Sequence, residues 1–293
     1  MLSYRHAFHA GNHADVLKHF IELQLLRHLA RKDKPFWYID THAGAGVYAL
    51  DSGYALQNAE YETGISRLWD RDDLPPPLAE YVQLVRDINP DGCLKLYPGS
   101  PMVAAKILRA QDRMRLFEMH PADSVLLQKN FSTRGARVLI QTSDGFMALR
   151  ALLPPPPKRA LVFIDPPYED KQDYRRVVSA LGEGLKRFAT GMYALWYPQL
   201  ARPESDRLPA QLKSLPANSW LHVTLSVCGP GEGAPGMRGS GMFVLNPPWG
   251  LRETLQQVMP YLTVNLGQDE HADFVLEYHE KHGQPDADTR PAM

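Results

Sequence analysis

Cysteine is scarce in this chain: 293 residues hold only Cys93 and Cys228. Two thiols make no disulfide framework and lack the paired spacing of a zinc site, so a reducing, cytoplasmic setting is expected. Neither sign of charge dominates, with 32 Lys and Arg against 33 Asp and Glu. That excludes a globally basic nucleic-acid binder and leaves such contacts to local patches. No apolar run approaches ~18 residues, and the polar, His-rich start has no apolar segment of a secretion signal, so no membrane partner is expected. What is plentiful is apolar residues, 44% of the chain, enough for one large domain or for a domain with an insertion.

The first nineteen residues are rich in Tyr4, Arg5, His6, His9, Asn12, His13, Asp15, Lys18 and His19. Residues 1–11 read as an irregular arm. Asn12 with Asp15 three residues on is a helix start, and Val16, Phe20, Leu23, Leu26 and Ala30 recur at helical spacing, predicting an amphipathic helix over 13–31. Four histidines so close invite a metal, but no acidic or cysteine co-ligands stand at fitting spacing. No metal is expected, and the arm fits better as a pocket lining.

A strand over 35–40 runs from Asp40 into Thr41-His42-Ala43-Gly44-Ala45-Gly46. A strand that ends in an acid and enters a Gly-x-Gly turn cradles nucleotide-type cofactors in doubly wound folds. The turn lacks the Lys followed by Ser or Thr with which a P-loop grips a triphosphate. Residues 50–98 break the rhythm with helical patterns around Pro75-Pro76-Pro77 and read as a small helical insertion, the chain returning as a strand at 94–97. From there helices and strands alternate: strands at 115–118, 137–141, 160–164, 192–197, 220–227 and 242–245, and helices at 102–110, 121–131, 146–153, 172–188, 203–218 and 251–262. This βα alternation predicts an α/β fold on a parallel, doubly wound sheet. The main domain is assigned to 1–49 and 99–279, with an edge strand at 274–278 and a disordered tail over 280–293.

Asp165-Pro166-Pro167-Tyr168 follows the buried run Ala160–Ile164. The prolines end sheet pairing, so the turn presents a carboxylate, a proline carbonyl and an aromatic face where α/β folds bind ligands. A flat base with an exocyclic amine needs two acceptors and a stacking surface. Such a turn can also be no more than a strand cap with Tyr168 as packing. Asp40, Glu118 and Asp144 also end strands, so four acids share one rim. An acid for ribose hydroxyls (Glu118) and one near an adenine amine (Asp144) describe an adenosine cofactor, and with no full Gly-x-Gly-x-x-Gly, S-adenosylmethionine fits better than NAD. Asn246-Pro247-Pro248-Trp249 repeats the catalytic pattern.

Asp165-Pro-Pro-Tyr168 resembles the motif of adenine-N6 amino-methyltransferases, and Asp40–Gly46 resembles their cofactor loop. The opening Met1–His19, with Tyr97–Pro101, Gly191–Pro198 and Asn246–Trp249, resembles the RlmJ family of 23S ribosomal RNA adenine-N6 methyltransferases over about residues 1–265. The resemblance implies a Rossmann-like sheet whose last strand is antiparallel, which sets Asn246 on the other edge. It implies that Lys18, His19, His42, Gly44, Ser100, Glu118, Asp144, Gly145 and Asp165 line the S-adenosylmethionine pocket. Asp165, Pro166 and Tyr168 then act on the flipped adenine, and Tyr4 with His6 gates it. The partner implied is 23S ribosomal RNA, with Arg5, Lys18, Lys158-Arg159, Lys171, Arg175-Arg176, Lys186-Arg187 and Arg238 as candidate contacts of which only some are expected to touch phosphate, and a monomer is expected. The same chemistry on DNA adenine, or a non-catalytic nucleic-acid binder keeping the fold, are the alternatives.

Overall fold

The computed structural model describes residues 6–51, 53–229 and 236–281. After α1 (His13–Ala30) comes β1 (Trp37–Asp40). A short strand, β2 (Val47–Ala49), opens the helical stretch of α2 (Gly53–Asn58), α3 (Ser66–Trp69) and α4 (Pro76–Arg86), which β3 (Leu96–Pro98) closes. Regular alternation follows: α5 (Ser100–Ile107), β4 (Arg113–Phe117), α6 (Pro121–Phe131), β5 (Val138–Gln141), α7 (Gly145–Leu152), β6 (Ala160–Ile164), α8 (Gln172–Arg187) and β7 (Met192–Gln199). The chain ends with α9 (Pro203–Lys213), β8 (Ser219–Ser226), β9 (Gly239–Leu245), α10 (Leu251–Leu266) and β10 (Asp273–Glu280).

Among the described residues the main sheet has eight strands in the order β10-β8-β9-β7-β6-β1-β4-β5. From β7 to β5 every pairing is parallel. β9 lies antiparallel to both β7 and β8, and β10 antiparallel to β8. Parallel strands are covered on both faces, which is why β6 is buried at all five positions and reads as an unbroken apolar run. Its side chains alternate between two cores: Leu161 and Phe163 face the helices α1, α4, α5 and α10, while Val162 and Ile164 face α7, α8 and α9.

The antiparallel β9 separates the two Pro-Pro turns. Asn246 leaves β9 beside the start of β7, and its side-chain amide donates to the carbonyls of Ala189 (2.8 Å) and Gly191 (2.6 Å). Asn246-Pro-Pro-Trp249 is thus a clip on the edge opposite Asp165.

Three sequence expectations are corrected. Helix α1 is not amphipathic toward solvent: packed against α5, α4, α10 and strands β6, β7 and β9, it buries Asp15, Lys18, His19 and Glu22 along with its apolar residues. The segment near 94–97 does not join the main sheet but pairs, as β3, with β2 (Val47↔Pro98, Tyr48↔Tyr97). Ile65, Leu68, Tyr81 and Val82 from the helical stretch between these strands share the core of Leu17, Phe20 and Ile21 on α1. Finally, Glu280 ends β10, and the Lys281 N–H donates to the Asn218 carbonyl (2.8 Å); the rest of the expected tail lies outside the described residues. No helix among the described residues is long and apolar enough to cross a membrane.

Candidate active site at the carboxyl rim

β6, β1, β4 and β5 are consecutive neighbours, so Asp165, Asp40, Glu118 and Asp144 line a single edge. The glycine turn after β1 is pinned to this edge, the Ala43 N–H donating to the Phe117 carbonyl (2.8 Å) and the Gly44 N–H to Glu118 Oε2 (2.8 Å). Gly44 has φ +58°, and a Cβ there would lie 2.2 Å from the Tyr48 hydroxyl. Only glycine meets both demands. Glu118 also accepts from the His120 N–H (2.6 Å), and burial raises its carboxyl above the ordinary range despite these two donors.

Gly145 closes the same edge from β5. A Cβ on it would sit 2.2 Å from the Thr41 carbonyl oxygen. Gly145→Ala is expected to separate the two loops, costing ~1–3 kcal/mol as overpacking does and weakening donor binding; thermal unfolding and calorimetric titration check both. Next to it, Asp144 caps α7 by accepting from the N–H groups of Phe146 (2.9 Å) and Met147 (3.3 Å), and also pairs with Arg176. The Arg176 guanidinium lies 4.7 Å from the Phe146 ring centre. His42 stands edge-on to the same ring at 4.8 Å, and burial lowers its imidazole to about 3, so it is neutral at physiological pH.

Across the rim, Lys18 Nζ bridges two carboxylates, Asp165 Oδ2 and Asp15 Oδ1, each at 2.7 Å. Lys18 is 3% exposed. Burial opposes its charge, but the two acids outweigh burial and hold its pKa well above the usual value. Asp15 in turn accepts from the Gly11 N–H (2.9 Å) and meets His6 Nε2 (2.9 Å). His19 Nδ1 lies 3.0 Å from the Tyr97 hydroxyl, and the Ser100 hydroxyl donates to Asp40 (2.7 Å).

Tyr168 has φ +54°, a backbone conformation uncommon outside glycine and found at functional turns. It is only 2% exposed; its hydroxyl donates to the Trp196 carbonyl (2.8 Å) and its ring lies 4.7 Å from that of Tyr174. The ring thus offers almost no free face in this structure, packed as it is beside Tyr174 and Trp196.

Thus the structure gathers Lys18, His42, Gly44, Ser100, Glu118, Asp144, Gly145, Asp165 and Tyr168 at one rim. His19 adjoins them from inside α1, and His6 reaches them through Asp15. Tyr4 and Arg5 lie outside the described residues. Two expected RNA contacts are corrected. Lys18 is sealed between carboxylates, and Arg159 sits at the opposite edge, donating to the carbonyls of Leu29 and Lys34. Asp15 and Glu22 were missed, although positions 15, 18 and 22 fall on one helical face and could have been found from Lys18.

A parallel sheet extended by an antiparallel hairpin strand, with an acid-tipped glycine turn at its centre, is the architecture of a Rossmann-like methyltransferase. The family model described as "Ribosomal RNA large subunit methyltransferase D, RlmJ" matches residues 33–278. The chain is 49% identical to ribosomal RNA large subunit methyltransferase J of Escherichia coli, over 91% of its own length and 94% of that protein. It is 46% identical to the protein of the same name from Haemophilus influenzae, over 95% and 99% of the two chains. The crystal structure of protein LPL1258 from Legionella pneumophila superposes with a TM-score of 0.85 at 36% identity, covering 93% of this chain and 99% of that one. The chain belongs to the RlmJ family of ribosomal RNA large subunit methyltransferases.

Proposed function

We propose that this protein methylates the N6 amine of an adenine in 23S ribosomal RNA, with S-adenosylmethionine as donor and the base flipped into the pocket at Asp165–Tyr168. The observation that carries the reading is the Asp165-Pro166-Pro167-Tyr168 turn at the carboxyl end of β6, joined by Lys18 to the arm-proximal acid Asp15. The names of the bacterial relatives support the large-subunit RNA as substrate.

The rim suits the donor. Gly44 lets the turn keep its positive φ against the Tyr48 hydroxyl, and Glu118, already fixed beside that turn, is an acceptor for ribose hydroxyls. Ser100, His42, Lys18 and His19 stand around the remainder. Asp144 is engaged by its cap and by Arg176, so an adenine amine there competes for its oxygens. When bound, S-adenosylmethionine supplies an electrophilic methyl group.

The protein's task is to hold and aim the amine. Its lone pair is conjugated with the purine ring, so it is a poor nucleophile. Asp165 and the Pro166 carbonyl accept its two N–H groups, favouring a pyramidal nitrogen with the lone pair directed away from the ring. Lys18 occupies Asp165 Oδ2; the other oxygen meets no donor among the described residues and is the one open to the amine. After transfer Asp165 takes the amine proton. Unstacking the base costs a few kcal/mol, and stacking on Tyr168 returns about 1–3 kcal/mol. Arg5, Lys171 and Arg175 at the start of α8, and Arg238 remain the candidates for phosphate contacts, whereas Lys158 before β6 and Lys186 and Arg187 at the end of α8 lie towards the opposite edge.

Nucleoside mass spectrometry of ribosomal RNA from a deletion strain is expected to show lost N6-methyladenosine; an unchanged level overturns the reading. Transfer assays on naked 23S RNA, assembled large subunits and DNA separate the substrates, and a preference for DNA overturns the RNA assignment. Absence of any heat on titrating S-adenosylmethionine would leave a non-catalytic binder.

A further inference from the structure

Beneath the Lys18–Asp165 pair lies a second acid cluster that methyl transfer does not use. Glu22, one turn beyond Lys18 on α1, and Asp40, the last residue of β1, are both fully buried. Asp40 is well supplied with donors: the Tyr38 hydroxyl (2.9 Å), the Ser100 hydroxyl (2.7 Å) and the His42 N–H (3.2 Å). Glu22 is not, for both its carboxyl oxygens are buried without a hydrogen-bond partner. The Tyr38 hydroxyl lies close to both acids, but its single proton is committed to Asp40. An unpartnered buried carboxylate is among the costliest groups a protein can hold, so Glu22 keeps its proton. Burial, followed by the neighbouring Asp40 charge, pushes its carboxyl well above the ordinary range, and burial lifts Asp40 to about 7. The other charges facing the pair are Lys18 from α1 and Asp165 from the turn after β6. Such coupled groups titrate as a pair, and above neutral pH the pair holds one proton.

The cluster touches the donor pocket directly, since Ser100 and His42 bond to Asp40. We propose that Glu22 and Asp40 form an electrostatically coupled carboxyl pair, with no hydrogen bond between them, that gives up its one proton to solvent when a positively charged methyl donor enters and recovers it when the neutral thioether product remains. The site thereby distinguishes donor from product by charge. S-adenosylmethionine carries a sulfonium cation and S-adenosylhomocysteine does not; the two are otherwise alike apart from the methyl group. A cation nearby favours the ionised form of a carboxyl, and the doubly ionised pair favours the cation in return. Losing the positive charge at transfer removes that support, which promotes product release.

This inference rests on S-adenosylmethionine being the donor, and calorimetry of the whole protein separates the two claims. Titrations with S-adenosylmethionine and with S-adenosylhomocysteine are run at pH 8 in buffers of different ionisation enthalpy. The wild type is expected to release more protons with the sulfonium than with the thioether, and its preference for the sulfonium is expected to rise by up to about tenfold per pH unit. Glu22→Gln keeps the volume and removes the pair's proton, so at pH 8 the difference between the two ligands disappears. A thermal melt confirms that the variant is folded; if it is not, the wild-type comparison decides alone. Sulfonium binding with no excess proton release, or the same excess in Glu22→Gln, overturns the pair while leaving the donor reading intact. Absence of binding heat in every buffer overturns both.

Discussion

Asp165→Ala is expected to abolish methyl transfer while leaving donor binding largely intact. In the proposed mechanism the side chain has two tasks, holding one N–H of the amine and then accepting its proton. The second alone is typically worth ~10²–10⁴-fold, and loss of orientation adds to it. Stability should change little, because Lys18 keeps Asp15 as partner at 2.7 Å, so no buried cation is stranded. Single-turnover methylation with a calorimetric donor titration measures the two effects separately. Turnover above roughly a hundredth of wild type removes Asp165 from the role.

Lys18→Met is expected to be the more damaging to the fold. It leaves Asp15 and Asp165 as neighbouring anions with no cation between them, Asp15 being almost wholly buried. Removing one member of a buried pair typically costs ~3–5 kcal/mol, which for a chain of this size lowers the melting temperature by on the order of 10 °C. The sign of the pH dependence follows from proton counting. Burial opposes the Asp15 charge, but His6, Lys18 and His19 hold its carboxyl well below the ordinary range, so in the wild type it stays ionised into strong acid. Without Lys18 its folded pKa rises, and the folded state then binds protons that the unfolded chain does not at the same pH. Folding is favoured where that uptake occurs, so the deficit of the variant shrinks as pH falls from about 7 towards the unfolded carboxylate value of about 4. Melts at pH 5 and pH 8 test this; an equal deficit at both shows that the lost contact is packing and not charge.

Much of the fold was legible because its signals are local. Ala160–Ile164 ends at Pro166, Pro35–Asp40 runs into glycines, and Asn12 starts a helix whose Asp15 N–H donates to its side chain (2.9 Å). Each is decided within a few residues, and together they place four acids on one edge. What failed depends on how many neighbours an element acquires. The spacing of Val16, Phe20 and Leu23 locates an apolar face on α1, but nothing in it says that the polar face will also be covered by α5 and by the sheet. For the same reason Lys18 looked like a surface cation for RNA. Charge alone groups Arg159 with Arg175, although the strand expected at 160–164 and the helix expected at 172–188 already set the two at opposite edges of the sheet. The pairing of 47–49 with 96–98 spans a long loop; the strand near 94–97 was legible, but no local signal marks 47–49 as its partner. Asp15 and Glu22 were within reach, had the face carrying Lys18 been read for polar as well as apolar residues.

The burial of α1 also sets the order in which the enzyme can mature. This helix rests on β9 and α10, so the segment that carries Lys18 is made well before the elements that wall it and gains those walls only when β9 and α10 are present. A nascent polypeptide still threaded through a ribosome has an unfinished catalytic floor.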